Sequence, residues 1–463
     1  MFKGVGHMNL RVVCVFLIFS VLSLFPVSAD YNRFAVPDSS EIRRELVETW
    51  FLAPLEDLRM KNSEIRRNEV GQQFQIRLEE QDSSFTIFVS PEVNMSVDVY
   101  SDKKVSTVTT QVYPGDASGS WMLVRDRQSG DPLRIRYYFS SNSDVYVQFT
   151  PSKERTFADM VIYGNYAARS LPVGIPYDRF YTASFADIYA WTAKTLPWQY
   201  CTVREGLYHS TLQMIQIIRE CIPEIVYADD AMYDGNGKPV YISTGAERQI
   251  DEKDAGKLSL SGAGFVKWVV DGLVVPLRGS YIKRAPLLVP TVEYKKTGFP
   301  GTLDSMYDLS FSLDWTRNLA AASFSVQTDK MYLYRSAGVD VSIVPFSSEL
   351  TPNGIVNSTG YIRDTGYAAV NLQGVLYVLA ATEPYYCYLA AIRQTSTGTP
   401  EVKPFNDCAV IFPYFDSAGR FACTVFQNGT ELTLQNFVAR YKNDFVHLVR
   451  VRTSDRFFPQ QVK

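Results

Sequence analysis

The sequence predicts an α+β protein, and three observations support this fold class. Its 463 residues exceed one average domain, and 46% of them are hydrophobic, so we expect two or three packed domains rather than a disordered chain. Short, turn-bounded runs of alternating or β-branched residues lie between Gln72 and Thr150. Near the C-terminus, one helix-like segment precedes a series of strand-like segments, which is typical of an α+β layout.

The first 29 residues are typical of a secretory signal peptide. Lys3 and Arg11 precede a largely apolar run over residues 12–25, and Val27-Ser28-Ala29 precede a predicted cleavage before Asp30. The apolar run is shorter than the about 20 residues that a membrane-spanning helix needs. We therefore expect an exported protein of the periplasm or cell envelope, with no membrane span after cleavage. An uncleaved N-terminal anchor is the alternative.

The charge balance and the scarcity of histidine exclude several classes of function. Lysine and arginine total 46 against 49 aspartates and glutamates, and no basic block stands out, so we expect no nucleic-acid partner. The histidines are His7, His209 and His447, and His7 lies in the predicted signal peptide. A histidine-rich metal site cannot form, and the sequence contains no C-x-x-C spacing, Walker loop or H-E-x-x-H motif, so we expect neither a bound metal nor a cofactor.

Five cysteines remain after the predicted cleavage: Cys201, Cys221, Cys387, Cys408 and Cys423. An odd number leaves at least one thiol unpaired in an oxidising compartment. Residues 202–221 have apolar side chains close to helical spacing. Such a helix would hold Cys201 and Cys221 roughly 30 Å apart, against about 5.5 Å in a disulfide. Most of the cysteines are expected to be small buried hydrophobic residues.

The N-terminal domain, residues 30–154, is predicted to be an antiparallel β-sandwich. Ser39 or Ser40 is expected to cap a short helix over residues 41–50. The strand-like segments that follow are residues 74–78, 85–89, 95–100, 105–113, 121–125, 133–139 and 145–149. About seven short strands with closely spaced turns favour a sandwich, and the polar residues 151–155 are expected to end it.

Residues 155–250 are predicted to form a helical connector. Ser184 is expected to cap a helix that runs to about Leu196, and a second helix is expected to end near Cys221. The sequence Asp-Gly-Asn-Gly at 234–237 predicts a hairpin turn. A calcium loop is the alternative, but the bidentate glutamate that such a loop needs is missing.

Residues 251–463 are predicted to form a C-terminal domain in which a helix precedes an antiparallel sheet. Ser261 can cap a helix that begins at Gly262 and that Gly272 can end. The strand-like segments that follow are residues 374–381, 385–392, 408–414, 420–426 and 446–451. A hairpin turn at 416–419 is expected to join the third and fourth of them.

Two short patches of this domain resemble the NlpC-type cell-wall peptidases, a branch of the papain-like cysteine peptidases. The run Gly264-Phe265-Val266-Lys267-Trp268 is similar to the motif of the family's nucleophile helix. Residues 407–412 are similar to the strand that begins with the family's catalytic histidine, and residues 419–423 to the strand after it. The resemblance implies a papain-like fold for residues 251–463.

The same resemblance implies a site that has lost its catalytic residues. The nucleophile position falls on Gly262, the general-base position on Asp407, and the orienting position near Cys423. A glycine cannot attack a carbonyl carbon, and a carboxylate without a neighbouring thiol does not form a catalytic pair. We therefore expect a non-catalytic envelope protein whose partner is a peptidoglycan peptide or an envelope protein.

Two other hypotheses stay open. The first is a hydrolase of cell-wall peptides that uses Ser261 or Cys408 with His447. Against it, Ser261 is more simply a helix cap, and Cys408 and His447 lie in apolar strand-like runs. The second is an unrelated, β-rich secreted binding protein in which both motif patches are coincidental.

Overall fold

The computed structural model describes residues 36–101, 104–153, 155–201, 203, 206–292, 306–395 and 403–461. The described residues from 37 onward form one compact unit of helices and mostly antiparallel sheets, with one parallel pair, residues 225–227 with 258–260. The predicted signal peptide lies outside the described residues, so that prediction stays open. Within the described ranges, no helix combines the length and the apolar character needed to cross a membrane.

The described chain begins with helical segments. These are α1 (Ser40–Leu46), a π-helical turn (Val47–Phe51) and α2 (Leu55–Arg59). Ser39 occupies the N-cap position of α1, but its hydroxyl accepts a hydrogen bond from the Arg43 guanidinium rather than from the backbone. Arg43 is fully buried and also donates to the carbonyl oxygens of Tyr181 and Ala183. This arginine therefore ties the first helix to a later part of the chain.

The N-terminal region is rich in β-strands. In chain order they are β1 (Glu64–Arg67), β2 (Gln73–Glu80), β3 (Ser84–Pro91), β4 (Val93–Ser101), β5 (Lys104–Val112), β6 (Trp121–Asp126), β7 (Pro132–Tyr137), β8 (Val145–Ser152), β9 (Arg155–Ile162) and β10 (Asn165–Val173). The seven predicted strands correspond to β2–β8. The polar residues 151–155 do not end this region, because Lys153 adopts a left-handed conformation in the turn between β8 and β9. The strands thus extend into the segment predicted to be a helical connector.

Short helices and strands follow. They are α3 (Phe185–Thr192), α4 (His209–Cys221), β11 (Ile225–Tyr227), β12 (Ala231–Tyr233), β13 (Pro239–Tyr241) and β14 (Leu258–Leu260), with 3₁₀ turns at Tyr177–Tyr181, Trp198–Tyr200, Ile222–Glu224 and Glu252–Asp254. Ser184 caps α3 in a capping box with Asp187. Antiparallel pairing of β12 with β13 confirms the predicted hairpin turn. The helix predicted over 202–221 begins only at His209, and Cys201 and Cys221 are both free thiols.

The C-terminal region alternates helices and strands. Its elements are α5 (Gly262–Arg278), α6 (Arg284–Leu287), α7 (Met306–Thr328), α8 (Tyr334–Ala337), β15 (Ser348–Thr351), β16 (Gly354–Asn357), β17 (Tyr367–Ala368), a 3₁₀ turn (Ala369–Asn371), α9 (Leu372–Thr382), β18 (Tyr386–Arg393), β19 (Phe405–Phe415), β20 (Phe421–Gln427), β21 (Thr430–Thr433), α10 (Leu434–Arg440) and β22 (Phe445–Arg452). Two predictions for this region are wrong. The helix α5 does not end at Gly272, and residues 374–381 form a helix instead of a strand.

Packing explains both errors. A Cβ at Gly272 would meet the Phe457 ring, so this glycine permits close packing in mid-helix, and α5 ends at the left-handed Gly279. Residues 374–380 are buried on every side of α9. A short run that is buried all round has no polar face, and its sequence cannot distinguish a strand from a helix.

Two large antiparallel sheets organise the molecule. The first has the order β1-β2-β3-β6-β7-β8-β9-β10-β15-β16, while β4 and β5 pair with each other. Its strands form one continuous hydrogen-bonded sheet, whereas the sequence predicted the two separate sheets of a sandwich. Its last two strands come from residues 348–357, so the sheet combines residues from both sides of the predicted boundary at 251. The second sheet has the order β17-β22-β18-β19-β20-β21.

The second sheet packs against α5 and α7. Phe265 of α5 and Trp315 of α7 belong to one buried apolar cluster with Leu389, Val410 and Val449 of the three central strands. Leu389 pairs directly with Val410 on one side and with Val449 on the other, so all three side chains point to the same face of the sheet. This packing places the N-terminus of α5 beside the first residues of β19.

Candidate functional site

A polar cleft of about 450 Å³ lies where α5 begins and β19 begins. We call it the α5 cleft, and its polar lining residues are Tyr227, Asp230, Ser261, Gln394, Asn406, Asp407 and Asn428. Gly262, Ala263, Ile242 and Phe311 complete the lining. The cleft thus contains two positions at which the resemblance places catalytic residues, Gly262 and Asp407.

Ser261 is the N-cap of α5. Its hydroxyl accepts a hydrogen bond from the Gly264 backbone N–H at 3.1 Å and donates to the Ala231 carbonyl oxygen at 3.0 Å. The backbone N–H of Ser261 donates to the same carbonyl. Because the single hydroxyl proton is directed to Ala231, Ser261 is held in a structural role at the helix start.

Gly264 allows α5 to approach β12 closely. A Cβ at this position would overlap the carbonyl oxygen of Ala231. Since that oxygen belongs to the backbone, it cannot move aside as a side chain can. Close packing against Ala231 therefore explains why a glycine occupies position 264 of the helix motif, independent of any catalytic role.

The nucleophile and base positions of the resemblance lie side by side. A Cβ at Gly262 would lie 3.2 Å from Asp407 Oδ1, and it would overlap Asn428 Oδ1. Asn428 adopts a left-handed backbone conformation at the end of β20, with a φ of 52°. The Asn428 amide thus fills the space into which a nucleophilic side chain at position 262 would project.

Three donors hold the Asp407 carboxylate in place. Oδ2 accepts hydrogen bonds from Gln427 Nε2 at 2.6 Å and from the Tyr441 hydroxyl at 3.2 Å, and Oδ1 accepts one from the Cys408 backbone N–H at 2.8 Å. Burial raises the pKa of Asp407, and these hydrogen bonds oppose the rise. The carboxylate is therefore a fixed acceptor rather than a mobile proton carrier.

Cys423 does not contact Asp407. It lies opposite Pro413 in the pairing of β19 with β20, and burial raises the pKa of its thiol. The side chain on β20 that reaches Asp407 is Gln427. The sequence patterns did not single out Gln427. Antiparallel pairing outward from the predicted turn at 416–419 nevertheless brings Asp407 opposite residues 428–429, next to Gln427.

His447 lies outside the α5 cleft. It is fully buried in β22, where its ring contacts Arg317, Asp340 and Tyr361. Strand β18 separates it from Cys408, because Ala391 pairs with His447 on one side and with Cys408 on the other. Two strand spacings put His447 and Cys408 about 10 Å apart.

Neither Ser261 nor Cys408, the nucleophiles of the hydrolase hypothesis, is paired with His447. Cys408 is buried, and burial together with the nearby Asp407 charge raises the pKa of its thiol well above the ordinary value. The hydroxyl of Ser261 donates to the Ala231 carbonyl oxygen, and the His447 ring contacts Arg317, Asp340 and Tyr361. His209, the other histidine in the described part of the chain, is exposed at the start of α4.

Hydrogen-bond acceptors dominate the α5 cleft. Asp230 and Asp407 line it, and no lysine or arginine is present on the part of its wall that the structure describes. Asn428 Oδ1 is buried and has no hydrogen-bond partner among the described residues. At the rim, the Tyr227 hydroxyl donates to Asp229 at 2.6 Å, and this bond raises the pKa of Tyr227 to about 12. Such a surface favours a ligand that supplies N–H groups.

The same described ranges contain no group of three or more histidine, cysteine, aspartate or glutamate side chains placed to hold a metal ion.

A protein-family model described as "Domain of unknown function (DUF8515)" matches residues 32–200. The matched segment contains the strands β1–β10 and ends before Tyr227, the first residue of the α5 cleft. No curated protein and no solved structure matches the chain. The match therefore relates the N-terminal strands to a family whose description assigns no activity.

Proposed function

We propose that this chain is an exported cell-envelope protein with a catalytically degenerate, NlpC-type papain-like domain, and that it binds a peptide in the α5 cleft without cleaving it. The observation that carries the proposal is the position of Gly262 beside Asp407. These residues lie far apart in the sequence, and the resemblance assigns them to the nucleophile and the base. The packing of α5 against β19, the strand that contains the base position, also supports the resemblance.

The absence of a side chain at Gly262 supports binding rather than cleavage. In a papain-like peptidase, a thiolate at the helix start attacks the peptide carbonyl and a histidine exchanges the proton. Here the corresponding space holds the Asn428 amide, and Asp407 is fixed by Gln427 and Tyr441. A bound peptide therefore meets acceptors and no nucleophile.

The acceptors of the α5 cleft determine the class of ligand. Asp407 and the rim amides of Gln394 and Asn406 suit the backbone N–H and amino groups of a peptide. Peptidoglycan stem peptides supply such groups, and they are the partner that the resemblance implies. An envelope protein could present the same groups through an exposed peptide segment, which makes it the second kind of partner.

Titration calorimetry with purified muropeptides tests this proposal. We expect binding without any new peptide products on chromatography, and at least tenfold weaker binding in a Gln394→Ala/Asn406→Ala double variant. Both residues line the cleft, and Asn406 is exposed, so the fold should tolerate the change. Asp82→Asn, at an exposed residue outside the cleft, is the matched control and should bind as the unmodified protein does.

Two results would contradict the proposal. Cleavage of the muropeptide that disappears in Ser261→Ala would establish the hydrolase hypothesis. Equal binding by the unmodified protein and the double variant would place the ligand outside the α5 cleft.

A further inference from the structure

A row of directly paired residues crosses one face of the first sheet. Its members are Arg77 (β2), Phe88 (β3), Met122 (β6), Arg136 (β7), Gln148 (β8) and Asp159 (β9). Directly paired residues point to the same face of a sheet. The alternating positions Leu123 and Ile135, which pair with each other, are fully buried in the hydrophobic core. The row therefore lies on the face of the sheet that is turned away from this core.

Two arginine side chains of this face lie over tyrosine rings. The guanidinium carbon of Arg136 is 4.4 Å from the centre of the Tyr146 ring, and that of Arg169, in β10, is 5.8 Å from the centre of the Tyr166 ring. Both tyrosines pair with Val161 of β9, one from each side, so the two arginine–tyrosine pairs share the face. A guanidinium group held over a ring is ordered by it and can still donate through its N–H edge.

Arg134 and Arg136 form the positive centre of this face. They are alternate residues of β7, both half-buried, and Arg134 pairs with Val124 beside the row. Arg134 Nε is buried and has no hydrogen-bond partner among the described residues. Burial lowers the pKa of Arg134, and the charge of Arg136 lowers it further. A negative charge placed between the two guanidinium groups would therefore offset their repulsion.

The carboxylate of the row is already engaged. Asp159 is buried and accepts hydrogen bonds from Gln148 Nε2 at 2.9 Å and from the Ser170 backbone N–H at 2.6 Å. Arg136 Nε donates to the other end of the same amide, Gln148 Oε1, at 3.2 Å. Within the described ranges, no ion pair joins Arg134 or Arg136 to a carboxylate. The two arginines are thus available to an anion from outside the chain.

The composition of this face favours a protein partner over a membrane. Phe88, Met122 and Val124 form a buried cluster with Tyr138, and none of these residues is more than 9% exposed. A membrane surface is bound by apolar side chains that enter it, and these side chains are covered. Arginine and tyrosine are enriched at protein–protein contacts, and a carboxylate matches the paired N–H groups of a guanidinium. An acidic peptide segment supplies such carboxylates.

We propose that this arginine face, defined by Arg134, Arg136, Arg169, Tyr146 and Tyr166, binds an acidic segment of a partner protein, whose carboxylates pair with Arg134 and Arg136. The chain as a whole has a formal net charge of −3, so the arginine face is a local feature and not part of a generally basic surface. All five residues lie in the segment that the family model matches, and none of them lines the α5 cleft. The interaction is therefore independent of the proposed function.

Fluorescence anisotropy with the full chain and a labelled oligoglutamate peptide tests this proposal. We expect saturable binding, and no binding of an oligoglutamine peptide of the same length. Arg134→Gln/Arg136→Gln should bind oligoglutamate at least tenfold more weakly. Arg44→Gln/Arg363→Gln, at two exposed arginines outside the face, removes the same charge and should bind as the unmodified protein does. Equal losses in the two double variants would overturn the proposal, because only net charge would then matter.

A single variant guards against misfolding of the double variant. Arg169 is exposed, so Arg169→Gln should leave the fold intact. We expect it to bind oligoglutamate about threefold more weakly, the effect of one exposed charge pair. Unchanged binding by Arg169→Gln would contradict the proposal.

Vesicles of phosphatidylglycerol provide the test against a lipid surface. We expect no co-sedimentation of the unmodified protein with them. Co-sedimentation that disappears in Arg134→Gln/Arg136→Gln, together with no binding of oligoglutamate, would overturn the proposal in favour of an anionic membrane.

Discussion

Asp407 Oδ1 lies 3.2 Å from the position that a Cβ atom would occupy at Gly262, so the start of β19 contacts the start of α5. This contact joins the two sequence patches on which the peptidase resemblance depends. It also shows why a polar cleft forms here, because a helix start without a side chain leaves room for polar groups from β19 and β20. Four predictions follow, two from this site and two from other parts of the chain.

Gly264→Ala should lower the free energy of unfolding by about 3 kcal/mol, because the added methyl group overlaps the backbone oxygen of Ala231. Gly262→Ala should cost less than about 1 kcal/mol, since it meets the end of the Asn428 side chain, which can rotate. Denaturant unfolding measures both values. Gly174→Ala, where the added methyl group meets open space, is the control. A milder effect at Gly264 than at Gly262 would contradict the packing described for α5.

The thiol introduced by Gly262→Cys should be a poor nucleophile. The Asp407 carboxylate beside it disfavours a second negative charge, so we expect the thiol pKa to lie above its ordinary value of about 8.5. In the double variant with Asp407→His, an imidazole replaces the carboxylate and the thiol pKa should fall. The pH dependence of alkylation by iodoacetamide measures both values. Equal pKa values in the two variants would show that position 407 does not act on position 262.

Asp340→Asn should destabilise the protein at neutral pH but not in acid. Burial disfavours the Asp340 carboxylate, yet the hydrogen bonds and charges of His447 and Arg317 outweigh it and hold the pKa of Asp340 below its usual range. A carboxyl group whose pKa is lower in the folded than in the unfolded protein stabilises the fold at pH values above its unfolded pKa of about 3.9. This stabilisation is lost as the pH falls further. We expect a loss of about 3 kcal/mol at pH 7 that shrinks below pH of about 4. Unfolding by urea across this range, with Asp82→Asn as control, gives the comparison, and a pH-independent difference would contradict it.

The five thiols in the described part of the chain should be unreactive. Burial raises the pKa of Cys201 and of Cys387 to about 12, and it raises the pKa values of Cys221, Cys408 and Cys423 as well. With a thiol-specific chromogenic reagent at pH 8, we expect all five to react only after unfolding in guanidinium. Rapid labelling of Cys408 in the folded protein would instead support a role for it as a nucleophile.

The sequence predicted local elements well where turn residues separate alternating or β-branched runs. The strands β2–β8 show alternating or β-branched patterns between turn residues, and Ser184 and Ser261 cap their helices as expected. Prediction failed where burial removes the pattern, as in α9, and where a polar run forms a tight turn at Lys153. Long-range pairing was also beyond reach, because nothing in residues 348–357 indicates that they join the first sheet.

In the α5 cleft, Gly262 and Asp407, which the sequence singled out, lie side by side, but the sequence did not indicate the residues that contact them. Gln427, Tyr441 and Asn428 reach the site through strand pairing and through a helix that follows β21. Only the pairing of β19 with β20 could be inferred from the turn that joins them. The contact of Tyr441 with Asp407 depends on how α10 packs, which side-chain patterns alone do not determine.

The return of β15 to β10 has a consequence for biosynthesis. Tyr166 pairs with Ser348, so the edge of β10 is covered only after about 180 further residues have left the ribosome, including all of α5 and α7. Until then, Asn165 and Tyr166, the residues of β10 that pair with β15, lack their strand partners, and this edge can pair with another nascent chain. A chain truncated after residue 250 would never cover this part of the edge. We expect such a fragment to aggregate, in addition to lacking the second sheet.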